Sequence, residues 1–201
     1  MTAPSQPAAT LRAFVALAPP DDAKDELAHA LRPVYAAHPR LRENRIEDWH
    51  ITLAFLGEQS VEAVERLRRP LAELATAHPS PGLTLSGGGH FDERVLWSGV
   101  LGDLDGLHLL SEAVRKQVRA CGVDFPERPL RPHLTLARAR RHDTTSVPEA
   151  ATALAPFTGR PWRALRLHLV GSTPGNTPPP RRYRDIAAWE LAGGAAEQPR
   201  T

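Results

Sequence analysis

The pattern of Leu11–Ala18 (LRAFVALA), apolar apart from Arg12 and alternating enough in its side chains, predicts a strand. Pro19-Pro20-Asp21-Asp22 then reads as a turn feeding a helix cap, and a helix follows through about Ala36 with Leu27, Leu31 and Val34 on one face. Trp49–Leu56 predicts a second strand. Ser60 caps a helix carrying Val61, Val64, Leu67, Leu71 and Leu74, which Pro70 should kink or divide because it has no N–H to give. Leu83–Phe91 and Val95–Leu101 predict a pair of strands. Leu107, Leu110, Val114, Val118 and Cys121 recur at helical spacing, with Gly122 as the stop. Leu130–Ala137 predicts a strand, Val147–Leu154 a short helix, and Arg163–Val170 and Tyr183–Trp189 two more strands. Helices that alternate with single strands or strand pairs predict an α+β fold, with two sheets rather than one long one. We expect one domain over residues 11–191, with loose tails at 1–10 and 192–201.

Composition narrows this picture. Apolar residues at 41% and charged residues at 24% describe a globular chain, and 201 residues suffice for one domain or two small lobes. Twenty prolines and 14 glycines exclude a coiled coil or a simple helix bundle. No run of about 18 apolar residues exists, so no membrane span is expected. The polar, Pro/Ala-rich stretch Met1–Leu11 lacks the apolar core of a secretory signal. Cys121 is alone, which excludes an intramolecular disulfide and a cysteine metal cluster, and predicts a reduced, cytoplasmic home. The net charge of +2 hides an uneven distribution. Ile46–Glu65 holds five acids and no Lys or Arg, Arg160–Arg184 holds six arginines and no acid, and Glu127–Asp143 sets five arginines against two acids. Basic stretches suit a phosphate-bearing partner; the alternative is a solvated arginine surface.

One repeat carries the chemistry. Residues 50–53 read His-Ile-Thr-Leu and residues 133–136 read His-Leu-Thr-Leu, each on a predicted strand. Nine histidines would head such an apolar-Thr-Leu triplet roughly 0.03 times by chance, and two do. The strand period puts His50 and Thr52 on one face and Ile51 and Leu53 on the other, and it treats His133 and Thr135 against Leu134 and Leu136 alike. A duplicated lobe is therefore expected, each copy burying its apolar pair and presenting an imidazole and a hydroxyl to a shared cleft. Paired imidazoles can supply a general base and a general acid, and the hydroxyls can donate to phosphate oxygens. The competing reading is a pair of core histidines on threonine-rich strands.

Trp-His-Ile-Thr-Leu-Ala-Phe-Leu-Gly (49–57), Phe-Asp-Glu-Arg-Val-Leu-Trp-Ser-Gly-Val (91–100) and Arg-Pro-His-Leu-Thr-Leu-Ala-Arg (131–138) resemble the 2H phosphoesterases. Their RNA 2′,3′-cyclic phosphodiesterases, also called 2′-5′ RNA ligases, are the most similar branch. The resemblance runs from about Leu11 to Leu191. It implies two pseudo-symmetric lobes, each an antiparallel sheet with flanking helices, and an active site in the cleft between them. It also implies hydrolysis of an RNA 2′,3′-cyclic phosphate to a 2′-phosphate with no metal or other cofactor, and possible reversal as 2′-5′ ligation. By the same resemblance His50 is the general acid, His133 the general base, Thr52, Thr135 and Arg138 contact phosphate, and Phe55 stacks on a base. Strict alternation would turn Phe55 and Arg138 into the core, so a bulge or a strand end is expected before each.

Other motifs add little. Gly87-Gly88-Gly89 beside His90 is followed by no Gly-Lys-Ser/Thr and reads as a bulge or turn. The remaining histidines show no metal-ligand spacing. Neither lysine begins a Lys-x-x-Gly sequence, which disfavours ATP-dependent ligation. The partner expected is RNA with a cyclic phosphate end, acted on by a monomer. The alternatives are an enzyme for a small cyclic nucleotide and a non-catalytic nucleotide- or RNA-binding module.

Overall fold

The computed structural model describes residues 9–172 and 183–193. In chain order the elements are β1 Thr10–Leu17, α1 Asp21–Ala37, β2 Arg42–Glu43, a 3-10 turn at Ile46–Asp48, β3 Ile51–Ser60, α2 Val61–Arg66 and α3 Arg68–Ala77. There follow β4 Gly82–Phe91, β5 Val95–Gly102, α4 Leu104–Ala120, β6 His133–Arg138, α5 Ser146–Leu154, β7 Trp162–Arg163, β8 Arg166–Ser172 and β9 Tyr183–Glu190. Residues 1–8 and 194–201 of the expected tails lie outside the described residues, as do Arg181 and Arg182. At the described ends Thr10 pairs with Ser60 and Ala192 bridges to Pro79.

The elements follow the side-chain pattern, with local chemistry setting their ends. Asp21 and Asp22 in the first turn of α1 suit its positive end, and the helix buries Ala23, Leu27, Leu31 and Val34. Asp103 caps α4 by accepting from Gly106 N–H at 2.9 Å, and Gly122, at φ 72°, takes the left-handed conformation just past its end. The long helix after Ser60 is divided at Leu67, because Pro70 cannot donate to the Arg66 carbonyl that a continuous helix would assign it. Arg163–Val170, expected as one strand, is two strands on different halves of the sheet: β7 pairs with β4, whereas β8 pairs with β1 and β9. Leu130–Pro132 lie outside β6, and the two-residue β2 has too little pattern to be visible in sequence.

The nine strands among the described residues pair antiparallel into one sheet, in the order β7-β4-β5-β6-β3-β1-β8-β9, with β2 also on β6. The two expected sheets are its halves, joined edge to edge where Ile51 of β3 faces Leu134 of β6, the single registered pair between those strands. Leu134 lies 83 residues after Ile51, the repeat interval, and α4 begins and ends 83 residues after α1. A pseudo-twofold axis therefore runs through that pair.

The helices interlock the halves. α1 follows β1 but packs against α5, which covers β4 and β5. Its Tyr35 hydroxyl donates to the Leu136 carbonyl of β6 at 3.3 Å, and Glu26 holds Arg160 at 2.8 Å. α4 follows β5 but packs on β3, where the buried Ser111 hydroxyl donates to the Leu53 carbonyl at 2.9 Å. The glycine run is a packing device: β4 bulges between Ser86 and Gly88, a Cβ on Gly88 would lie 2.6 Å from the Ala151 carbonyl of α5, and one on Gly89 would overlap the Trp97 ring. Among the described residues no helix is long and apolar enough to cross a membrane.

Ser111→Ala should leave the buried Leu53 carbonyl without this donor and cost about 1–3 kcal/mol of stability. Urea unfolding would read it, and a loss under about 0.5 kcal/mol would mean that the bond does not hold α4 to β3.

Candidate active site

Continuing the Ile51–Leu134 register by one residue either way sets His50 opposite Thr135 and Thr52 opposite His133. Each histidine thus lies on the same side of the seam as the other lobe's threonine, in a shared cavity. Buried residues anchor both histidines: Trp49 and Ile51 on either side of His50, and Leu134 after His133.

The bulges expected before Phe55 and Arg138 are present and related by the repeat. β1 pairs Val15 with Ala54 and Ala16 with Thr52, so Leu53 is an extra residue in β3. β5 pairs Leu96 with Ala137 and Trp97 with Thr135, so Leu136, 83 residues on, is an extra residue in β6. In each strand the Leu-Ala pair is buried as two consecutive residues, which reverses the alternation beyond it. Phe55 is thereby turned outward at 43% exposure, and Arg138 is exposed as well.

His50, Thr52, Phe55, His133, Thr135 and Arg138 all line one open cavity of about 340 Å³. Residues that the sequence reading missed complete it: Arg12 and Phe14 from β1, Asn44, Asp48, Ser172 at the end of β8, and Tyr183 at the start of β9. Arg12 lies 5.6 Å above the Phe55 ring. Its place with Phe14 on one face of β1 was legible as a period of two, but only pairing with β3 turns that face toward the cavity. Asn44 has no such signal. It is held by its own N–H to the Leu136 carbonyl at 2.7 Å and by its side-chain amide to the Thr135 carbonyl at 3.0 Å, where β2 and its flank fill the gap left as β3 and β6 diverge.

Both imidazoles are held alike. His50 Nδ1 lies 2.7 Å from the Asp48 carbonyl and His133 Nδ1 lies 2.6 Å from the Arg131 carbonyl, each two residues back. A carbonyl only accepts, so Nδ1 carries the proton in both rings and Nε2 is left for a substrate. His50 stacks on Phe14 at 4.5 Å between centroids, with Tyr183 edge-on at 5.2 Å. His133 meets Phe91 edge-on at 4.9 Å and Trp97 at 6.5 Å. Burial is the largest cause that pulls His50 down to about 4, with His133, Lys24 and His168 adding repulsion against the Asp48 hydrogen bond. Burial and the Arg138 guanidinium also lower His133, against its bond to Arg131. In the free protein both rings are neutral at pH 7, in a cavity that carries Arg12 and Arg138.

The basic run from Arg160 is differently spent. Arg160 pairs with Glu26, Arg163 donates to the Ser80 carbonyl, and Arg166 pairs with Glu190, all away from this cavity. Among the described residues no three His, Cys, Asp or Glu side chains are grouped to hold a metal ion.

The model of the 2′-5′ RNA ligase superfamily matches residues 19–176. An RNA 2′,3′-cyclic phosphodiesterase of Escherichia coli K12 is 31% identical over 186 residues, which are 90% of this chain and 96% of that relative. Another protein of that name, from Geobacillus stearothermophilus, is 32% identical over 154 residues, covering 73% of this chain but only 46% of the relative's length. The crystal structure of E. coli LigT complexed with 3′-AMP superposes with a TM-score of 0.72 at 27% identity, over 91% of this chain and 99% of that one. A crystal structure from Thermus thermophilus reaches 0.74 at 23% identity, over 91% and 99%, and shares the fold.

An NMR titration of the ring protons should find His50 titrating near pH 4 and His133 below the ordinary 6.5. Because the unfolded chain takes up these protons first, stability should be complete above pH 6.5 and fall as the pH drops toward 4. A midpoint for His50 at or above 6.5 would contradict a desolvated, neutral ring.

Proposed function

The chain belongs to the 2′-5′ RNA ligase superfamily, and from that premise we propose that it hydrolyses RNA 2′,3′-cyclic phosphate ends to 2′-phosphates by proton transfer between His50 and His133. The observation that carries this reading is the seam, which brings two imidazoles with matched tautomers into one cavity beside hydroxyls and arginines. His133 Nε2 takes a proton from water as the water oxygen bonds to phosphorus. The bond from phosphorus to the 3′ oxygen breaks, and His50 Nε2 delivers the proton to that oxygen. The strained ring leaves the protein mainly to position, neutralise charge and move protons. Thr52 and Thr135 donate to the non-bridging oxygens, Arg138 forks onto the phosphate, and Phe55 stacks on the terminal base.

Neutral rings in the free protein bear on the acid. A general acid must be charged before the bond breaks, and the substrate supplies the reason: a phosphodiester anion among the rings raises their proton affinity. His50, which burial lowers to about 4, needs that anion to hold the proton it delivers. The same chemistry run backwards joins a 5′-hydroxyl to the cyclic phosphate as a 2′-5′ bond. In this reading the protein acts as a monomer. A reducing cytoplasm fits the single Cys121 thiol.

An oligonucleotide ending in a 2′,3′-cyclic phosphate, incubated with excess chelator, should yield a 2′-phosphate. His50→Ala and His133→Ala should each lose at least ~10²-fold in turnover while remaining folded. Near wild-type turnover in either variant would sink the mechanism. The kcat/KM profile, which reports the free enzyme, should be a bell with both limbs acid of 6.5, and kcat should shift upward in pH. Arg138→Ala should lower kcat/KM by about tenfold or more, with lysine restoring only part, because a point charge cannot reproduce the fork.

A further inference from the structure

Two grooves leave the cavity. One, of about 500 Å³, passes His50 and Tyr183 and balances Lys24, Arg45 and Arg184 against Glu47, Asp48 and Asp185. The other, of about 470 Å³, shares Thr52, Phe55 and His133 with the cavity and runs beneath the segment that joins α4 to β6. Its charged lining is Arg115, Arg128 and Arg131 against Asp92, and its aromatic lining is Phe55, Phe91 and Phe125. Arg128 and Arg131 are exposed, and neither is ion-paired to a carboxylate among the described residues. Arg115 lies 4.0 Å from Glu127, which is held more closely by Arg119 at 2.6 Å.

The wall is fixed. The Gln59 amide of β3 donates to the Asp124 carbonyl at 2.9 Å, Arg119 lies 4.9 Å over one face of Phe125, and Pro126 and Pro129 stiffen the backbone.

Arginines interleaved with phenylalanines along a groove are the chemistry of single-stranded nucleic acid: cations follow the phosphates and rings stack with bases of any sequence. A cyclic phosphate closes the 3′ end, so a longer substrate can only continue in the 5′ direction. Resting on the proposed cyclic phosphodiesterase activity, we infer that the Phe55–Phe125 groove binds the nucleotides immediately 5′ of the reacting residue, which makes short single-stranded RNA the substrate class over free cyclic mononucleotides. Among the described residues the groove past Tyr183 is charge-balanced and gives a polyanion no comparable attraction.

The test compares kcat/KM on a 2′,3′-cyclic mononucleotide with that on di-, tri- and tetranucleotides ending in the same residue. The first one or two 5′ nucleotides should raise it by about tenfold or more, after which it levels off. Arg128→Glu should cut that gain to under about threefold, and Phe125→Leu should reduce it, while both stay within about twofold of wild type on the mononucleotide. Arg128→Ala should flatten the salt dependence of trinucleotide binding by a slope of about 0.7. Equal kcat/KM across all lengths would overturn the groove and leave the proposed activity standing. A loss in Arg128→Glu that is the same for mononucleotide and trinucleotide would also overturn it, as would a gain abolished by Arg184→Glu and untouched at Arg128. No hydrolysis at any length would overturn the activity itself.

Discussion

Two half-sheets meet at one residue pair, Ile51 against Leu134, and everything that gives this molecule a site follows from how short that seam is. A longer β3–β6 ladder would bring the strands together along their length and close the cleft. A single pair holds the edges together at the pseudo-twofold axis and lets them diverge, so that the imidazoles and hydroxyls next to the seam face open space. Diverging edges leave backbone groups without strand partners. Asn44 and β2 occupy part of that gap on β6, and the Arg131 and Asp48 carbonyls accept from the His133 and His50 imidazoles.

So short a joint cannot by itself keep two lobes in register, and the helices do much of that work. α1 leaves one half and packs toward the other through Tyr35 and Glu26, while α4 makes the reverse crossing through Ser111. Each crossing bond to a strand ends on a bulge leucine, Leu136 or Leu53, that the ladder leaves as an extra residue. The bulges that aim Phe55 and Arg138 are therefore tied to the helices that hold the lobes together. Symmetry is then broken where chemistry needs it broken. The aromatic ring and the guanidinium occupy equivalent places on opposite sides of the axis, and the more deeply desolvated ring is His50.

Charge is economical in the cavity. Neutral rings avoid two like charges in the free protein, and in the proposed reaction it is the anionic substrate that brings the field to charge them. Arg160, Arg163 and Arg166 are tied into ion pairs and a carbonyl contact on other faces, so this stretch of the basic run serves surface structure.

Sequence alone determined the strands and helices of the first 160 residues apart from β2 and the 3-10 turn, the duplicated His-x-Thr-Leu strands, the division near Pro70, the bulge within the glycine run and the need for a register break before Phe55 and Arg138. These are local properties: side-chain period, capping and missing N–H groups act within a few residues. Tertiary structure decided which edges meet, how few residues they share, and that Trp162–Arg163 and Arg166–Ser172, contiguous in pattern, go to different halves of the sheet. It also decided the places of Arg12, Asn44 and Tyr183 in the cavity and the depressed proton affinity of both histidines. Those depend on long-range pairing and on burial by distant elements, which no window of the chain encodes.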